Sequence, residues 1–253
     1  GGLQLYFYTF KRQDMELRID PSEQGSNNPK FFTGSQVWDN IFYTCVSGVT
    51  IWTAYTVVFM WAYANHFIPW LAWSTSPLDV VWFLALFPLL VLWQSVHFYF
   101  GHRLLHSKFC YRRWHEAHHR NINTGPWSGF SMHPVEHVFY FSSILIHLVV
   151  ASHPVHMLFH MYYTALDAVT SHSGYGDLLV KGKGVVRLGS FYHQLHHRYF
   201  DCNYGASFLP LDKFFGLFHD GTPEATARVR EYQLRKRGGR FRTSPAPSER
   251  RTR

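Results

Sequence analysis

Two long uncharged runs of apolar residues constrain the fold of this chain more than any other feature. Residues 41–63 give 23 positions without a formal charge, and residues 80–100 give 21 in which only His97 can titrate. A helix of about 20 residues crosses the roughly 30 Å hydrocarbon core of a bilayer, so each run is long enough to span it. Because Trp and Tyr lie near the ends of both runs, as is typical at membrane interfaces, we predict two transmembrane helices rather than core helices of a soluble protein.

A third apolar stretch, residues 138–170, is interrupted by Pro154. Two complete crossings would need about 40 residues, so we expect a short or re-entrant helical hairpin here. The predicted fold class is therefore an all-α integral membrane protein with transmembrane helical hairpins and a helical cap. Lys and Arg are absent between residues 65 and 79 and frequent between residues 103 and 120, which predicts that the cap lies in the cytoplasm.

The charge distribution divides the chain into three predicted segments. Residues 1–40 form a polar or interfacial N-terminal segment, residues 41–221 the membrane-embedded domain, and residues 222–253 a basic tail. The tail holds ten Lys or Arg residues against three Glu, which gives most of the net charge of +8. Because the tail lacks an apolar period, we predict that it is disordered. No base-stacking or recognition element accompanies its charges, so a nucleic-acid partner is not expected.

Histidine is the unusual residue of this sequence, with 18 His against 16 Asp and Glu combined. Two His stand four apart just after the second apolar run, and the spacing H-x-x-H-H occurs twice further on; at these spacings the side chains share a helix face. The three groups are His102 and His106; His115, His118 and His119; and His193, His196 and His197. Eight imidazoles exceed the four ligands of one tetrahedral zinc ion, so two metal ions are favoured. Imidazole binds Fe, Zn, Cu and Ni alike, and the ligand type leaves the metal open.

These spacings, set around apolar hairpins, resemble the membrane fatty acid hydroxylase and sterol desaturase superfamily. The likeness extends from about Val96 to Gly221. It includes H-R-L-L-H at 102–106, M-H-P-V-E at 132–136, S-H-S-G-Y-G at 171–176, and N-Y-G followed by P-L-D-K-F-F-G at 210–216. Within the superfamily, H-P-V-E and H-S-G-Y are most similar to the C-4 methylsterol oxidase branch.

The resemblance implies a non-haem centre of two iron ions in an all-histidine ligand set, with zinc able to replace iron in purified protein. Such a centre uses dioxygen and external electrons to hydroxylate or desaturate a lipid of sterol or fatty acyl type. By analogy His172 is a ninth metal ligand beside the eight grouped histidines. His133 falls at the H-P-x-E position, where Pro134 suits the first turn of a helix and places His133 at its N-terminal cap. We expect His133, and His97 on a different helix face from His102, to support the site more readily than to bind metal.

The expected partners are a lipid in the membrane and a separate electron donor. The donor would be a cytochrome b-type protein, or a ferredoxin with its reductase, because the sequence shows no fused redox domain. The expected location is the endoplasmic reticulum membrane in a eukaryote or the inner membrane in a bacterium. The oligomeric state stays open.

Two other functional classes compete with the oxygenase. Residues 115–119 satisfy H-E-x-x-H, so His115 and His119 could bind zinc with Glu116 as general base in an intramembrane metalloprotease. A metal transporter or a bis-histidine haem protein is the non-enzymatic alternative, and the position of the grouped histidines at the membrane edges disfavours it.

Further residues are expected to support the site. Ligating histidines donate their second N–H to a carboxylate, a carbonyl or water, and Glu116, Asp201 and Asp212 are candidates by proximity in sequence. The histidines of the third apolar stretch are expected to be hydrogen-bonded residues that line a substrate cavity. The aromatic residues predicted along the access route are Trp93, Phe98, Tyr99, Trp127 and Phe130.

Overall fold

The computed structural model describes residues 27–125, 127–174, 177–180, 183–187, 189–205, 209–236 and 238. Helix α1 covers Gln36–Ala64, with a π-helical segment at Tyr43–Gly48, and α2 covers Pro77–Leu105. Both are long and apolar enough to cross a membrane, and only 22% of the most apolar part of each is buried inside the protein. A core helix of a soluble protein would bury far more, and the side chains left outside are large and apolar, as at Val57 and Leu84. The predicted helical membrane fold is confirmed.

The third apolar stretch forms the short helical hairpin that the sequence predicts. Its first arm is α4, Pro134–Phe141, which continues as a 3₁₀ helix at Ser142–Leu148. Its second arm is α5, Pro154–Ser171, which begins with a capping box between His153 and His156. The core of the protein lies between these arms and α1. Its fully buried side chains include Tyr63, Phe141, Ile144, Met157 and Met161.

The remaining elements complete the cap. Three short helical segments follow α2, at Lys108–Cys110, Tyr111–His115 and Glu116–His119, and together they are called α3 here. A 3₁₀ turn covers Ser128–Phe130. After α5 come an antiparallel pair of strands, β1 (Asp177–Val180) and β2 (Lys183–Arg187), then α6 (Ser190–Tyr199), α7 (Leu211–Phe214) and α8 (Pro223–Lys236). The two strands are a small addition to an all-α fold that sequence patterning did not predict.

Helix α8, Pro223–Lys236, covers the first part of the tail that the sequence predicts to be mostly disordered. Thr222 accepts a hydrogen bond from the Ala225 N–H at 3.2 Å, and Pro223 occupies the first turn. Ala225 and Val229 are buried, so the helix has an apolar contact face that its many charges conceal in the sequence. Lys236 also forms an ion pair with Asp201 at 2.7 Å. Residues 239–253 lie outside the described residues, as does most of the predicted segment 1–40.

Gly129 allows the 3₁₀ turn at Ser128–Phe130 to contact α5 directly. A Cβ atom at this position would lie 2.4 Å from the Ala168 carbonyl oxygen. This neighbour is backbone of a long helix and cannot rotate away, so an added methyl group must separate the two segments.

We therefore expect Gly129→Ala to lower the free energy of unfolding by about 2–3 kcal/mol, measured by thermal or chemical unfolding in detergent. Gly48→Ala is the matched control, because its added Cβ would meet side-chain atoms and no backbone, with His137 Nε2 at 3.1 Å and Phe130 Cβ at 3.5 Å, inside a helix that favours Ala. Equal losses in the two variants would contradict this role of Gly129.

Candidate metal centre

The nine histidines expected as ligands come from four segments that meet beside the end of α2. Helix α2 and its C-terminal cap carry His102 and His106, α3 carries three histidines, the end of α5 leads to His172, and α6 carries three more. The structure sorts all nine into two groups in which the ring nitrogens lie within 4.8 Å of one another. The first group is His102, His106, His115, His119 and His196, and the second group is His118, His172, His193 and His197.

The five rings of the first group form a square pyramid with His106 at its apex. The His106 ring centroid lies 4.7–5.1 Å from the other four. Neighbouring base rings are 4.4–5.0 Å apart, whereas His102 and His119, at opposite corners, are 6.5 Å apart. Among the described residues, no ring of this group faces His106 across the base. That side is where a further ligand could approach.

The second group has four rings and a more open arrangement. Five of its six centroid distances are 4.5–5.0 Å, and the sixth, between His118 and His193, is 6.1 Å. His118 and His193 therefore lie opposite each other, with His172 and His197 beside them. The two groups are adjacent, since the His119 and His197 rings stack at 4.6 Å.

Each H-x-x-H-H motif divides its side chains between the two groups. In α3 the first and third histidines, His115 and His119, join the first group, and the middle one joins the second. In α6 the pattern is reversed, since only the middle histidine, His196, joins the first group. Residues i and i+4 lie 40° apart around a helix, while i+3 lies 60° to the other side of i, so one face can serve two neighbouring points.

The rings of the first group are oriented by hydrogen bonds on their outer nitrogens. His102 Nδ1 donates to the Tyr204 carbonyl at 2.7 Å, and His196 Nδ1 donates to the Cys202 carbonyl at 2.6 Å. His115 Nδ1 lies 2.6 Å from a carboxylate oxygen of Glu136. In the second group, His118 Nδ1 donates to the Ser131 carbonyl at 3.3 Å, and His172 Nδ1 pairs with the Ser128 hydroxyl at 2.8 Å.

These contacts correct the prediction of Glu116, Asp201 and Asp212 as direct partners of the ligand rings. Within the described part of the chain, none of the three hydrogen-bonds to a grouped histidine. Glu116 is exposed, and Asp212 accepts from the N–H groups of Tyr204 and Gly205, one step away from His102. Sequence reasoning missed Glu136, although its motif, M-H-P-V-E, was recognised. The sequence does carry a signal for Glu136, which follows His133 by three residues. Because His133 caps α4, Glu136 lies in the first turn of that helix, where its side chain is buried.

The arrangement of nitrogens in the first group fits a bound cation. A carbonyl can only accept, so His102 and His196 carry their protons on Nδ1 and present bare lone pairs at Nε2. Adjacent Nε2 atoms lie 3.1 Å apart, as between His196 and His119, and N–H donors cannot pair all five of them, because His102 and His196 have no proton there. Nitrogens 3.1 Å apart and at right angles would surround an ion at about 2.2 Å, near the 2.0–2.1 Å of zinc–imidazole bonds.

Burial keeps these imidazoles unprotonated. The loss of hydration lowers the pKa of His115 and of His118 to about 3. Burial also lowers the pKa of the other grouped rings near the cap well below the usual value for histidine, and repulsion between the charged forms of neighbouring rings lowers it further. These rings are His106, His119, His172, His193, His196 and His197. Burial raises the pKa of Glu136 to about 8. Neutral imidazoles are the form that a metal ion requires.

The two histidines predicted to support the site lie outside both groups. His133 caps α4, as predicted, with its Nδ1 accepting from the Val135 N–H at 3.2 Å. His97 pairs with the Ser142 hydroxyl at 3.1 Å.

A cavity borders both histidine groups on one side. It encloses about 750 Å³, including the space at its mouth. His102 and His115 of the first group line it, as do His118, His172 and His193 of the second, while His106 does not. The rest of the wall is mainly apolar, formed by Phe98, Leu105, Met132, Phe139, Tyr140 and Ala168. The cavity therefore reaches the first group at the His102 and His115 edge of its base, away from the His106 apex.

The cavity corrects two predictions about its lining. The histidines of the third apolar stretch are hydrogen-bonded, as predicted, for example His147 to Ser152 at 2.7 Å and His156 to the Phe83 carbonyl at 2.8 Å. They do not line this cavity, because they pack between α2, α5 and the 3₁₀ segment. Of the five aromatic residues predicted along the access route, Phe98 alone is in the described cavity wall.

Residues 87–217, just over half of the chain, match the profile of the fatty acid hydroxylase family. The chain belongs to this family. A Delta(7)-sterol 5(6)-desaturase of Gibberella zeae is 30% identical over 54% of this chain and 42% of its own length. A very-long-chain aldehyde decarbonylase of Oryza sativa subsp. indica is 26% identical over 78% of this chain and 73% of its own. Methylsterol monooxygenase 2-1 of Arabidopsis thaliana is 23% identical over 76% and 74%.

These relatives confirm the predicted superfamily. Their names cover three activities, so the C-4 methylsterol oxidase branch stays a prediction. This chain spans less than half the length of the Gibberella sterol desaturase. No solved structure is significantly similar to the chain.

Proposed function

We propose that this protein is a membrane-bound di-iron oxidoreductase that hydroxylates or desaturates a lipid with dioxygen and electrons from a separate donor. The observation that carries the proposal is the pair of buried imidazole groups beside one apolar cavity. Relatives named as a sterol desaturase and a methylsterol monooxygenase support the oxidation of a lipid. The proposed metal ligands are His102, His106, His115, His118, His119, His172, His193, His196 and His197.

The residues of this chain divide the work between holding metal and holding substrate. Iron, when bound, supplies the redox chemistry that activates dioxygen and removes hydrogen from an unactivated carbon. The carbonyls of Tyr204 and Cys202 fix the rings of His102 and His196, so that their lone pairs are already aligned. In this proposal Phe98 and Phe139 exclude water from the cavity and hold an alkyl or ring carbon beside His102 and His115.

The membrane arrangement gives the lipid a path to the site. The transmembrane helices α1 and α2 hold the protein in the bilayer, where the lipid can remain in the apolar phase. Helix α2 carries His102 and His106 at its C-terminal end. In the proposed arrangement residues 41–221 form the catalytic domain, and the cap with the basic residues after α2 faces the cytoplasm, where a cytochrome b-type protein or a ferredoxin supplies electrons. The membrane would be the endoplasmic reticulum of a eukaryote or the inner membrane of a bacterium.

The position of Glu116 disfavours the metalloprotease alternative. A protease of the H-E-x-x-H type needs this carboxylate beside the metal-bound water. Glu116 is exposed, and no hydrogen bond joins it to either His115 or His119 in the described structure. The carboxylate that contacts His115 is Glu136, from a different helix.

The test is metal content and oxygen-dependent product formation in detergent-purified protein expressed with iron. We expect the wild-type protein to hold about two metal ions per chain. The His193→Ala variant should hold fewer ions and should turn over sterol or fatty acyl substrates more than about a hundredfold more slowly. This loss exceeds the effect of altering a residue that only hydrogen-bonds to a ligand. Glu116→Gln is the matched control and should retain both metal and activity. One zinc ion per chain, insensitive to His193→Ala, with activity abolished by Glu116→Gln, would overturn the proposal in favour of the protease.

A further inference from the structure

Asp167 places a carboxylate in the wall of the apolar cavity. It lies on α5, is half-buried, and borders the cavity together with Tyr140, Ala168 and Ser171. No Lys or Arg side chain contributes to the described wall of the cavity. A carboxylate in such surroundings is costly unless a hydrogen-bond donor meets it.

The described residues give the Asp167 side chain no such donor. The two nearby hydroxyls of the cavity wall are already used, since Tyr140 donates to the Thr164 carbonyl at 2.8 Å and Ser171 donates to the Ala168 carbonyl at 3.2 Å. Glu136, the other carboxylate of the wall, is held by His115 at 2.6 Å through Oε1, while its Oε2 has no hydrogen-bond partner among the described residues. Asp167 is therefore an acceptor of the cavity wall that is open to a ligand and, unlike Glu136, makes no described hydrogen bond to a grouped histidine.

We propose that Asp167 accepts a hydrogen bond from a hydroxyl group of the lipid that binds in this cavity, and so selects hydroxylated lipids over purely hydrocarbon ones. The inference rests on the proposed function, because it assigns the substrate class of the same site. A hydroxyl suits the site better than an ammonium group, since its one O–H is satisfied by the carboxylate, whereas an ammonium group brings three N–H donors to a mainly apolar wall.

The position of Asp167 along α5 also limits which carbon of the lipid is oxidised. His172 follows Asp167 by five residues, which corresponds to about 7.5 Å along a helix. A lipid anchored at Asp167 thus presents to the histidine groups a carbon that lies within roughly one ring system of its hydroxyl. This favours oxidation near the polar end of the lipid over oxidation far along an acyl chain.

The test is equilibrium binding to the full chain in detergent, with cholesterol and its 3-methyl ether as one pair of probes and octadecanol and its methyl ether as a second. The ether has no proton to donate and adds one methyl group at the oxygen, so the comparison is completed by the Asp167 variants. We expect the wild-type protein to bind a free hydroxyl compound roughly ten- to a hundredfold more tightly than its ether, the range for one hydrogen bond to a charged group. Preference within the cholesterol pair would indicate a sterol-type ligand, and preference within the octadecanol pair a long-chain alcohol.

The variants locate the effect at Asp167. In Asp167→Leu the hydroxyl compound and its ether should bind equally, whereas Asp167→Asn keeps an acceptor oxygen and should retain part of the preference. Glu224→Gln, an exposed carboxylate on α8, is the control and should bind as the wild type does. Metal content and gel-filtration profile equal to wild type show that the variants fold, and the ether comparison on wild-type protein needs no variant at all.

The outcome separates this inference from the proposed function. A wild-type protein that does not distinguish either ether from its alcohol, or a preference that survives in Asp167→Leu, overturns the role of Asp167 even if the protein holds two metal ions and oxidises a lipid. A protein that prefers hydroxyl compounds through Asp167 but binds no iron would sustain the inference and remove the di-iron oxidoreductase.

Discussion

The double variant His118→Ala with His119→Ala should lose metal from both groups, although the two residues are neighbours in one short helix. His118 belongs to the second group and His119 to the first, so this pair damages both groups at once. The variant His119→Ala with His196→Ala should instead retain about one ion per chain. These two residues lie 77 positions apart but share the first group, where their Nε2 atoms are 3.1 Å apart.

Metal per chain, measured after expression with iron and removal of loosely bound ions, distinguishes these variants. In the structure, the histidines of each H-x-x-H-H motif are divided between the two groups. From the sequence alone, each motif could equally be the ligand set of one ion. If each motif held its own ion, the adjacent pair would cost one ion and the distant pair would cost two, which is the reverse of our expectation. His66→Ala, an exposed histidine far from both groups in the sequence, is the control for loss of any imidazole.

The sequence predicted the ligand candidates well because helix spacing is a local property. Residues four apart share a helix face in any tertiary context, so His102 with His106, and each H-x-x-H-H motif, could be recognised without a structure. The division of each motif between two groups could not be predicted, because it depends on how α3 and α6 pack against α2. Glu136 and Asp167 were missed for the same reason. Their roles come from contacts made by neighbouring helices, which short-range spacing does not encode.

The fold shows the same contrast between local and long-range information. The length of the transmembrane helices follows from composition, and the N-terminal cap at His133 follows from the proline after it. Both features are predicted by the sequence. Helix α8 was mistaken for a disordered tail because its apolar side chains, Ala225 and Val229, are few and its charges many. Its stability depends on contacts with distant partners, including the hydrogen bond from Gln233 to the Tyr199 carbonyl at 2.6 Å.

Acidification should release the metal and unfold the cap in a narrow range, with a midpoint between about pH 6 and pH 5. Burial lowers the pKa of the His115 and His118 rings to about 3, against an ordinary value near 6.5, so the folded protein binds fewer protons than the unfolded chain below pH 6.5. The stability that these neutral rings contribute is complete above pH 6.5 and is lost as the pH falls toward 3. A metal ion needs the same neutral rings, so its release follows the same direction.

The size of the effect follows from the number of rings that share it. One ring changes the free energy of unfolding by up to about 1.4 kcal/mol per pH unit. The other grouped histidines near the cap, whose pKa burial also lowers, add to this slope in the same direction, so the loss of stability on acidification is steep. Metal content and near-ultraviolet circular dichroism between pH 8 and pH 4 measure the transition. Because ordinary carboxylates titrate near pH 4, a protein that stays folded and metal-loaded at pH 4.5 would show that these rings do not control its stability.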